Sequence, residues 1–156
     1  MKKISLLLFA ATLLLAACDD SLRVDMQEEI HNRPDVSLST ASGLSIPGFV
    51  GNYCTDVVCF EKPAIDFSAL TFTPITNGED LTFTVEFFDP INTISLRTYN
   101  KAGDVTHREI PYTQIDEKTF LFEEALPSEE SQITLHIKVD FVNEGLTNYY
   151  YPVELQ

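Results

Sequence analysis

Tryptophan is absent from the 156-residue sequence, and basic residues are few, with 10 lysines and arginines against 24 aspartates and glutamates. The formal net charge of −14 disfavours nucleic-acid binding, because an acidic surface repels a phosphate backbone. The absence of tryptophan excludes the inter-sheet tryptophan of antibody domains. Six scattered glycines cannot build a phosphate-binding loop.

Sequence motifs for catalysis are missing as well. The chain contains no Gly-x-Ser-x-Gly, and neither a Ser-x-x-Lys motif nor a Cys/His pair has a supporting context. The three histidines, His31, His107 and His136, lack the spacings that place metal ligands on one helix face. We therefore predict a protein without enzymatic activity or cofactor, and we rank an envelope hydrolase or redox protein well behind a binding role.

The amino-terminal residues are typical of a secretion signal. Met1-Lys2-Lys3 is positively charged, and residues 4–17 form an apolar run shorter than the roughly 20 residues that span a membrane. The run ends in Leu15-Ala16-Ala17-Cys18, which resembles the lipobox of bacterial lipoproteins. The resemblance implies that a peptidase cuts before Cys18 and that its sulfur receives a diacylglyceryl group. The alternative is an ordinary secretory signal.

Residues 1–17 are thus predicted to be a lipoprotein signal peptide, and residues 18–35 the lipidated cysteine and an acidic tether. Two or more acyl chains anchor a protein stably, so we expect the chain on the extracytoplasmic side of a cell membrane. Scattered apolar residues favour a flexible tether with a reach of about 20 to 25 Å. Asp19 and Asp20 resemble an inner-membrane retention signal of enteric bacteria, which would mean nothing in a one-membrane cell.

Residues 36–156 carry apolar residues with a period of two rather than 3.6, which predicts strands. The alternation is clearest over 81–87 and 133–141. Weaker candidates are 36–41, 46–53, 70–75, 93–100, 105–110, 119–123 and 147–155. Seven to nine short strands, in a chain with 44% hydrophobic residues, predict an all-β fold, an immunoglobulin-like antiparallel β-sandwich. We expect phenylalanine and branched aliphatic residues in its core.

A family resemblance supports this fold. The run Ile46-Pro-Gly-Phe-Val-Gly-Asn-Tyr-Cys54, the second cysteine Cys59, the strand 81–88 and the ending 149–155 are similar to small surface lipoproteins of Gram-positive bacteria. Members carry a PxxxGxYC hairpin before an immunoglobulin-like sandwich. The likeness covers most of residues 35–156 and implies a fold more than a function.

Cys54 and Cys59 are the thiols that remain once Cys18 is lipidated. Their C-x4-C spacing suits a hairpin closed by a disulfide, and an extracytoplasmic compartment permits oxidation. Closing so small a loop would stabilise the fold by about 2 kcal/mol. The alternative is a redox pair or half a zinc site, but redox pairs favour C-x-x-C and a zinc site needs further ligands.

Two polar features are predicted to be solvated surface. His136, Lys138 and Asp140 share one face of the strand 133–141, and we expect that face to contact solvent rather than to form a site. Acidic clusters at predicted turns are expected to be solvated too. These clusters are Glu79-Asp80, Asp89, Asp116-Glu117, Glu123-Glu124, Glu129-Glu130 and Glu144. Oxygen-rich loops at the end of a sandwich can alternatively hold calcium.

The sequence therefore favours a lipid-anchored extracytoplasmic module that binds or supports another envelope protein or a surface ligand. A calcium-dependent adhesion or accessory module is the alternative hypothesis. Contact with the membrane is expected through the lipid on Cys18, and nucleic acid is not expected as a partner.

Overall fold

Strands account for nearly all of the regular structure. The computed structural model describes residues 35–55, 59–86, 89–122 and 130–156, so the predicted signal peptide, Cys18 and the tether before Asp35 lie outside the described residues. The strands in these ranges are β1 (Asp35–Thr40), β2 (Ser45–Ile46), β3 (Phe49–Cys54), β4 (Cys59–Phe60), β5 (Thr73–Ile75), β6 (Leu81–Glu86), β7 (Ile91–Asn100), β8 (Val105–His107), β9 (Thr113–Gln114), β10 (Thr119–Phe122), β11 (Gln132–Phe141) and β12 (Gly145–Leu155). A short 3₁₀ helix spans Phe67–Ala69.

The predicted antiparallel β-sandwich is confirmed. One sheet has the order β2-β1-β6-β10-β9, and the other, here called the long sheet, has the order β4-β3-β12-β11-β7-β8. The strand β5 adds to the long sheet by running parallel to the end of β12. The described ranges hold twelve strands rather than seven to nine, because the two-residue strands β2, β4 and β9 had no candidates of their own among the predicted strands. Runs that short show no period-two pattern.

The strand β11 is the centre of the long sheet. It pairs with β12 from Gln132 opposite Glu154 to Phe141 opposite Gly145. Its other edge pairs with β7 along almost the same length. Because successive side chains of a strand point to opposite faces, β11 presents alternate residues to the inner and outer faces of the long sheet.

The core lies between the inner faces of the two sheets. It contains the alternating residues that the sequence identified on β6 and β11, namely Leu81, Phe83, Val85, Ile133, Leu135, Ile137, Val139 and Phe141. The core also contains tyrosines, whereas only phenylalanines and aliphatic residues were expected there. The rings of Tyr149 and Tyr151 pack on Phe83, with centroid distances of 6.0 and 6.4 Å. A fully buried large side chain contributes about 1.5 to 3 kcal/mol.

Asp89 is only 6% exposed, so the prediction that the turn carboxylates are solvated is wrong for this residue. Its carboxylate accepts hydrogen bonds from the backbone N–H groups of Asn143 and Glu144 at 2.9 and 3.0 Å, and from Asn143 Nδ2 at 2.7 Å. Burial alone would raise the pKa of Asp89, but these hydrogen bonds outweigh it and the pKa lies below its usual value. Asp89 therefore stabilises the turn between β11 and β12.

The predicted disulfide between Cys54 and Cys59 is confirmed. The two cysteines are register partners on β3 and the edge strand β4, so the bridge holds the edge of the long sheet together. Gly145, at the start of β12, has a φ of +75°, and a Cβ there would overlap the backbone oxygen of Cys54. A glycine is required at this position for both reasons.

Candidate functional site

The outer face of β11 is not the solvated surface that the sequence predicted. His136 is only 5% exposed and Thr134 only 1%, whereas Lys138 and Asp140 are half-buried. The prediction was wrong for His136 because the period of two distinguishes the faces of a strand but does not show what covers them. Here aromatic side chains of neighbouring strands and a loop from another part of the chain cover the outer face.

The imidazole of His136 is held in one orientation. Its ring stacks on Tyr150 at a centroid distance of 4.6 Å and an interplanar angle of 8°, and the ring of Tyr99 lies 5.8 Å away. The Nε2 atom lies 2.8 Å from Asn148 Oδ1. An amide oxygen only accepts hydrogen bonds, so Nε2 carries the proton and Nδ1 is the acceptor of a neutral imidazole. Asn148 in turn donates from Nδ2 to the backbone oxygen of Asn52 at 2.8 Å.

Two buried polar atoms of this face lack a hydrogen-bond partner among the described residues, His136 Nδ1 and Thr134 Oγ1. They belong to residues two apart on β11, and therefore to the same face of the long sheet. Leaving a buried polar group unpaired costs about 1 to 3 kcal/mol. Such groups in a native fold are usually met by water or by a ligand.

The covering loop consists of residues 61–72 and is here called the strap. Its ends are both held by the long sheet, because it follows β4, which the disulfide joins to β3, and precedes β5, which pairs with β12. Near its start, the backbone N–H of Lys62 donates to Asn52 Oδ1 at 2.9 Å and Lys62 Nζ donates to the Val50 oxygen at 2.7 Å. At its 3₁₀ helix, Ser68 donates to Asp66 Oδ1 from its backbone N–H.

Phe67 is the side chain by which the strap contacts the rings of the sheet. Its ring stacks on Tyr99 at 5.1 Å and meets Tyr150 edge-on at 6.5 Å and 71°. Phe49 stacks on Tyr150 from the other side at 5.4 Å. A Cβ on Gly51 would overlap the Tyr150 ring, so the glycine leaves the space that this ring occupies. The rings are thus brought together from four separate parts of the chain.

A groove of about 250 Å³ lies between the strap and the outer face of the long sheet. Its walls include the rings of Phe67, Tyr99 and Tyr150 together with Asn52, Lys62 and strap residues 63–65. Among the described residues that line the groove, Lys62 carries the only charge. Mixed apolar and polar walls of this kind are typical of ligand-binding clefts.

Unpaired cations lie beside the groove. Arg97 is the register partner of His136 on β7, and Lys138 is two residues along β11 on the same face. Within the part of the chain that the structure describes, neither side chain has an ion pair or a hydrogen bond to another residue. The groove, Arg97, Lys138 and His136 are here called the outer-face site. Asp140, two residues beyond Lys138 on the same strand face, accepts a hydrogen bond from Asn92 Nδ2 at 2.8 Å, so this face carries charges of both signs.

The surroundings of His136 lower its pKa below the usual value of 6.5. Burial is the main cause, and the positive charges of Arg97 and Lys138 act in the same direction against the hydrogen bond to Asn148. Because its pKa lies below 6.5, His136 is neutral near pH 7. Burial likewise raises the pKa of the Tyr150 hydroxyl above 10.0, and Tyr99 contributes to this shift.

The other residues singled out from the sequence lie apart from this site. His107, on β8, is close to Thr98 Oγ1 at 3.4 Å, while His31, Glu123, Glu124 and Glu129 lie outside the described residues. Glu79 accepts from the backbone N–H of Ser42, and Asp116 from that of Lys118. No group of three or more metal-ligating side chains occurs in the described ranges. These turn carboxylates therefore hold loops in place.

Comparison with protein-family models, with curated proteins and with solved structures finds no match for this chain. Within the ranges that the structure describes, no helix has the length and apolar character that crossing a membrane requires. The tyrosine run 149–151 and the aromatic residues at 67 and 99 were the available signals for the outer-face site. None of them indicated which rings would meet.

The lowered pKa of His136 predicts a pH dependence of stability. Above pH 6.5 the imidazole is neutral in both the folded and the unfolded chain. Below pH 6.5 the unfolded chain binds a proton at His136 more readily than the folded chain does. The free energy of unfolding therefore falls as the pH drops through 6.5 toward the lower pKa of the folded chain. Urea unfolding of the full chain at about pH 7.5 and about pH 5.5 should therefore show a smaller decrease in the free energy of unfolding for His136→Gln than for the wild type.

His107→Gln is the matched control, because it leaves His136 in place and should keep the wild-type dependence. An equal loss of stability in His136→Gln and the wild type would contradict the assignment of a buried neutral imidazole.

Proposed function

We propose that the protein is a lipid-anchored extracytoplasmic binding module whose ligand surface is the outer-face site. The observation that carries this proposal is the groove of aromatic rings beside two cations, Arg97 and Lys138, that lack partners among the described residues. Aromatic side chains and arginines in clefts are the usual anchors of a bound partner. The strap keeps these rings beside the groove, as a binding site requires.

Binding is favoured over catalysis by the partners of His136. A histidine that acts as a base needs a nucleophile or a substrate proton within reach, and a third group that orients it. Here Nε2 is bonded to an amide, Asn148, and Nδ1 has no partner among the described residues. The imidazole therefore supports the ring of Tyr150, on which it stacks and which lines the groove.

The anchoring part of the proposal rests on the sequence Leu15-Ala16-Ala17-Cys18 after a short apolar run. Acyl chains on Cys18 would place the sandwich outside the membrane, at the end of a tether of about 20 to 25 Å. Anionic lipid headgroups repel so acidic a chain, so the domain would stand off from the membrane surface with its binding site available to other envelope components.

Lipidation predicts the phase in which the protein is recovered from cells. Because the thioether needs the sulfur of Cys18, the wild type should partition into the detergent phase and Cys18→Ala should be recovered unprocessed or released. The double variant Cys54→Ser/Cys59→Ser is the control, since it loses the disulfide but keeps Cys18. Detergent partitioning of Cys18→Ala equal to that of the wild type would rule out the anchor.

The binding surface predicts the effect of removing one ring. Full-length protein in detergent should be retained by envelopes isolated from producing cells that lack their own copy. Phe67→Ala removes the ring by which the strap contacts Tyr99 and Tyr150, and should weaken retention by roughly tenfold. Tyr112→Ala removes a ring that is 39% exposed and lies away from the strap, and should leave retention unchanged. Equal retention of both variants would contradict the assignment of the surface.

A further inference from the structure

We propose that the Cys54–Cys59 bridge is a thiol-exchange site, and that its reduction by a protein dithiol releases the first part of the strap and opens the groove. The inference rests on the proposed function for its consequence, which is the loss of ligand binding once the groove opens. Three features of the structure lead to it: the exposure of Cys59, the short pairing of β4, and the position of the strap directly after β4.

The two cysteines of the bridge differ in exposure and in what holds them. Cys59 is exposed, whereas Cys54 is half-buried. Cys54 belongs to β3, where it pairs with Leu146 of β12 on one side and with Cys59 on the other. Exposed disulfides are the ones that exchange readily with thiols. A thiolate that approaches from solvent therefore attacks the sulfur of Cys59, and Cys54 is the leaving group.

The reaction has two balanced steps. A thiolate of the dithiol attacks Cys59 Sγ, forms a mixed disulfide with it, and displaces Cys54 as a thiolate that takes up a proton from solvent. The second thiol of the dithiol then loses its proton and attacks the dithiol's sulfur in the mixed disulfide, so that Cys59 leaves and is protonated in turn. The dithiol is oxidised to a disulfide, and the bridge has gained two electrons and two protons.

The bridge is the main attachment of β4 to the sheet. This strand has two residues, and its register with β3 places Cys59 opposite Cys54 and Phe60 opposite Tyr53. The rings of Phe60 and Tyr53 stack at a centroid distance of 6.0 Å. Once the bridge is reduced, this ring pair and the pairing of a two-residue strand remain. So short a strand at the edge of a sheet opens easily.

The first part of the strap depends on β4 for its position. Lys62 bonds it to β3, with its backbone N–H donating to Asn52 Oδ1 and its Nζ donating to the Val50 oxygen. Both hydrogen bonds lie at exposed positions, where competition with water leaves each a small net contribution. The other end of the strap is held more firmly, because β5 pairs with the end of β12 along three residues. Reduction therefore frees the strap at its first end.

The freed part of the strap is a wall of the groove. Lys62 and residues 63–65 line the groove together with Phe67, whose ring packs on Tyr99 and Tyr150. The sandwich depends less on the bridge, because its core lies between the two sheets and β11 pairs with β12 along ten residues. We therefore expect reduction to open the groove and to leave the sandwich folded.

Hydrogen exchange of the detergent-solubilised full chain tests this expectation, with dithiothreitol as the dithiol. It should reduce the bridge in the folded protein, and the amides of residues 61–69 should then exchange about tenfold faster or more. The amides of β11 should exchange at the same rate in both states. The variant Cys54→Ser/Cys59→Ser should match the reduced wild type with or without dithiothreitol, which separates the effect of the bridge from other effects of the reductant.

Trapping identifies the sulfur that is attacked. A Cys-x-x-Cys protein dithiol whose second cysteine is replaced by serine forms a mixed disulfide that it cannot resolve. Peptide mapping should find this mixed disulfide on Cys59. A mixed disulfide on Cys54 would contradict the assigned direction of attack.

Envelope retention tests the consequence for binding. Envelopes should retain the oxidised wild type and bind the reduced wild type about tenfold more weakly, because a wall of the groove is lost. Cys54→Ser/Cys59→Ser should be retained as weakly as the reduced protein, and dithiothreitol should not change its retention.

Other outcomes would overturn the inference. These are a bridge that resists dithiothreitol in the folded protein, strap amides that exchange equally in both states, and β11 amides that lose protection together with the strap. Equal retention of oxidised and reduced protein would also overturn it, while the proposed function would stand. If envelopes do not retain the oxidised wild type, the proposed function fails, and the exchange data alone decide whether the bridge controls the strap.

Discussion

Burial of both faces of β11 is the constraint on which the rest of the structure depends. Its inner side chains, such as Ile137, are fully buried between the sheets, and on its outer face His136 is 5% exposed. Hydrogen bonding to β7 and β12 holds both edges of the strand. A strand that is paired at both edges and buried on both faces around His136 is a rigid support, so the side chains above it keep defined positions.

The outer-face site follows from this support and from the strap. The strap is tied to the long sheet at both ends, by the disulfide-linked β4 and by β5, and it lays Phe67 against the rings of Tyr99 and Tyr150. Lys62 fastens its first residues to β3. The disulfide therefore contributes to the site by holding the strand from which the strap begins, in addition to stabilising the fold.

Much of the fold was predictable because local patterns determine it. The period of two at Phe83 and Ile137 identified core strands, and the spacing of Cys54 and Cys59 identified a hairpin bridge. The site was not predictable in the same way. Tyr149 and Tyr150 are adjacent, yet one packs in the core and the other on the outer face, and only the register with β11 decides which. The strap has no periodicity, so the burial of His136 left no local signal.

The most direct test of two-sided burial compares Ile137→Ala and His136→Ala by denaturant unfolding. Ile137→Ala removes core packing and should cost about 2 to 5 kcal/mol. His136→Ala removes the stack on Tyr150 and leaves Asn148 without its partner, so it should cost about 2 kcal/mol or more. A His136→Ala variant as stable as the wild type would contradict the account, because the outer face of β11 would then be solvent-exposed surface.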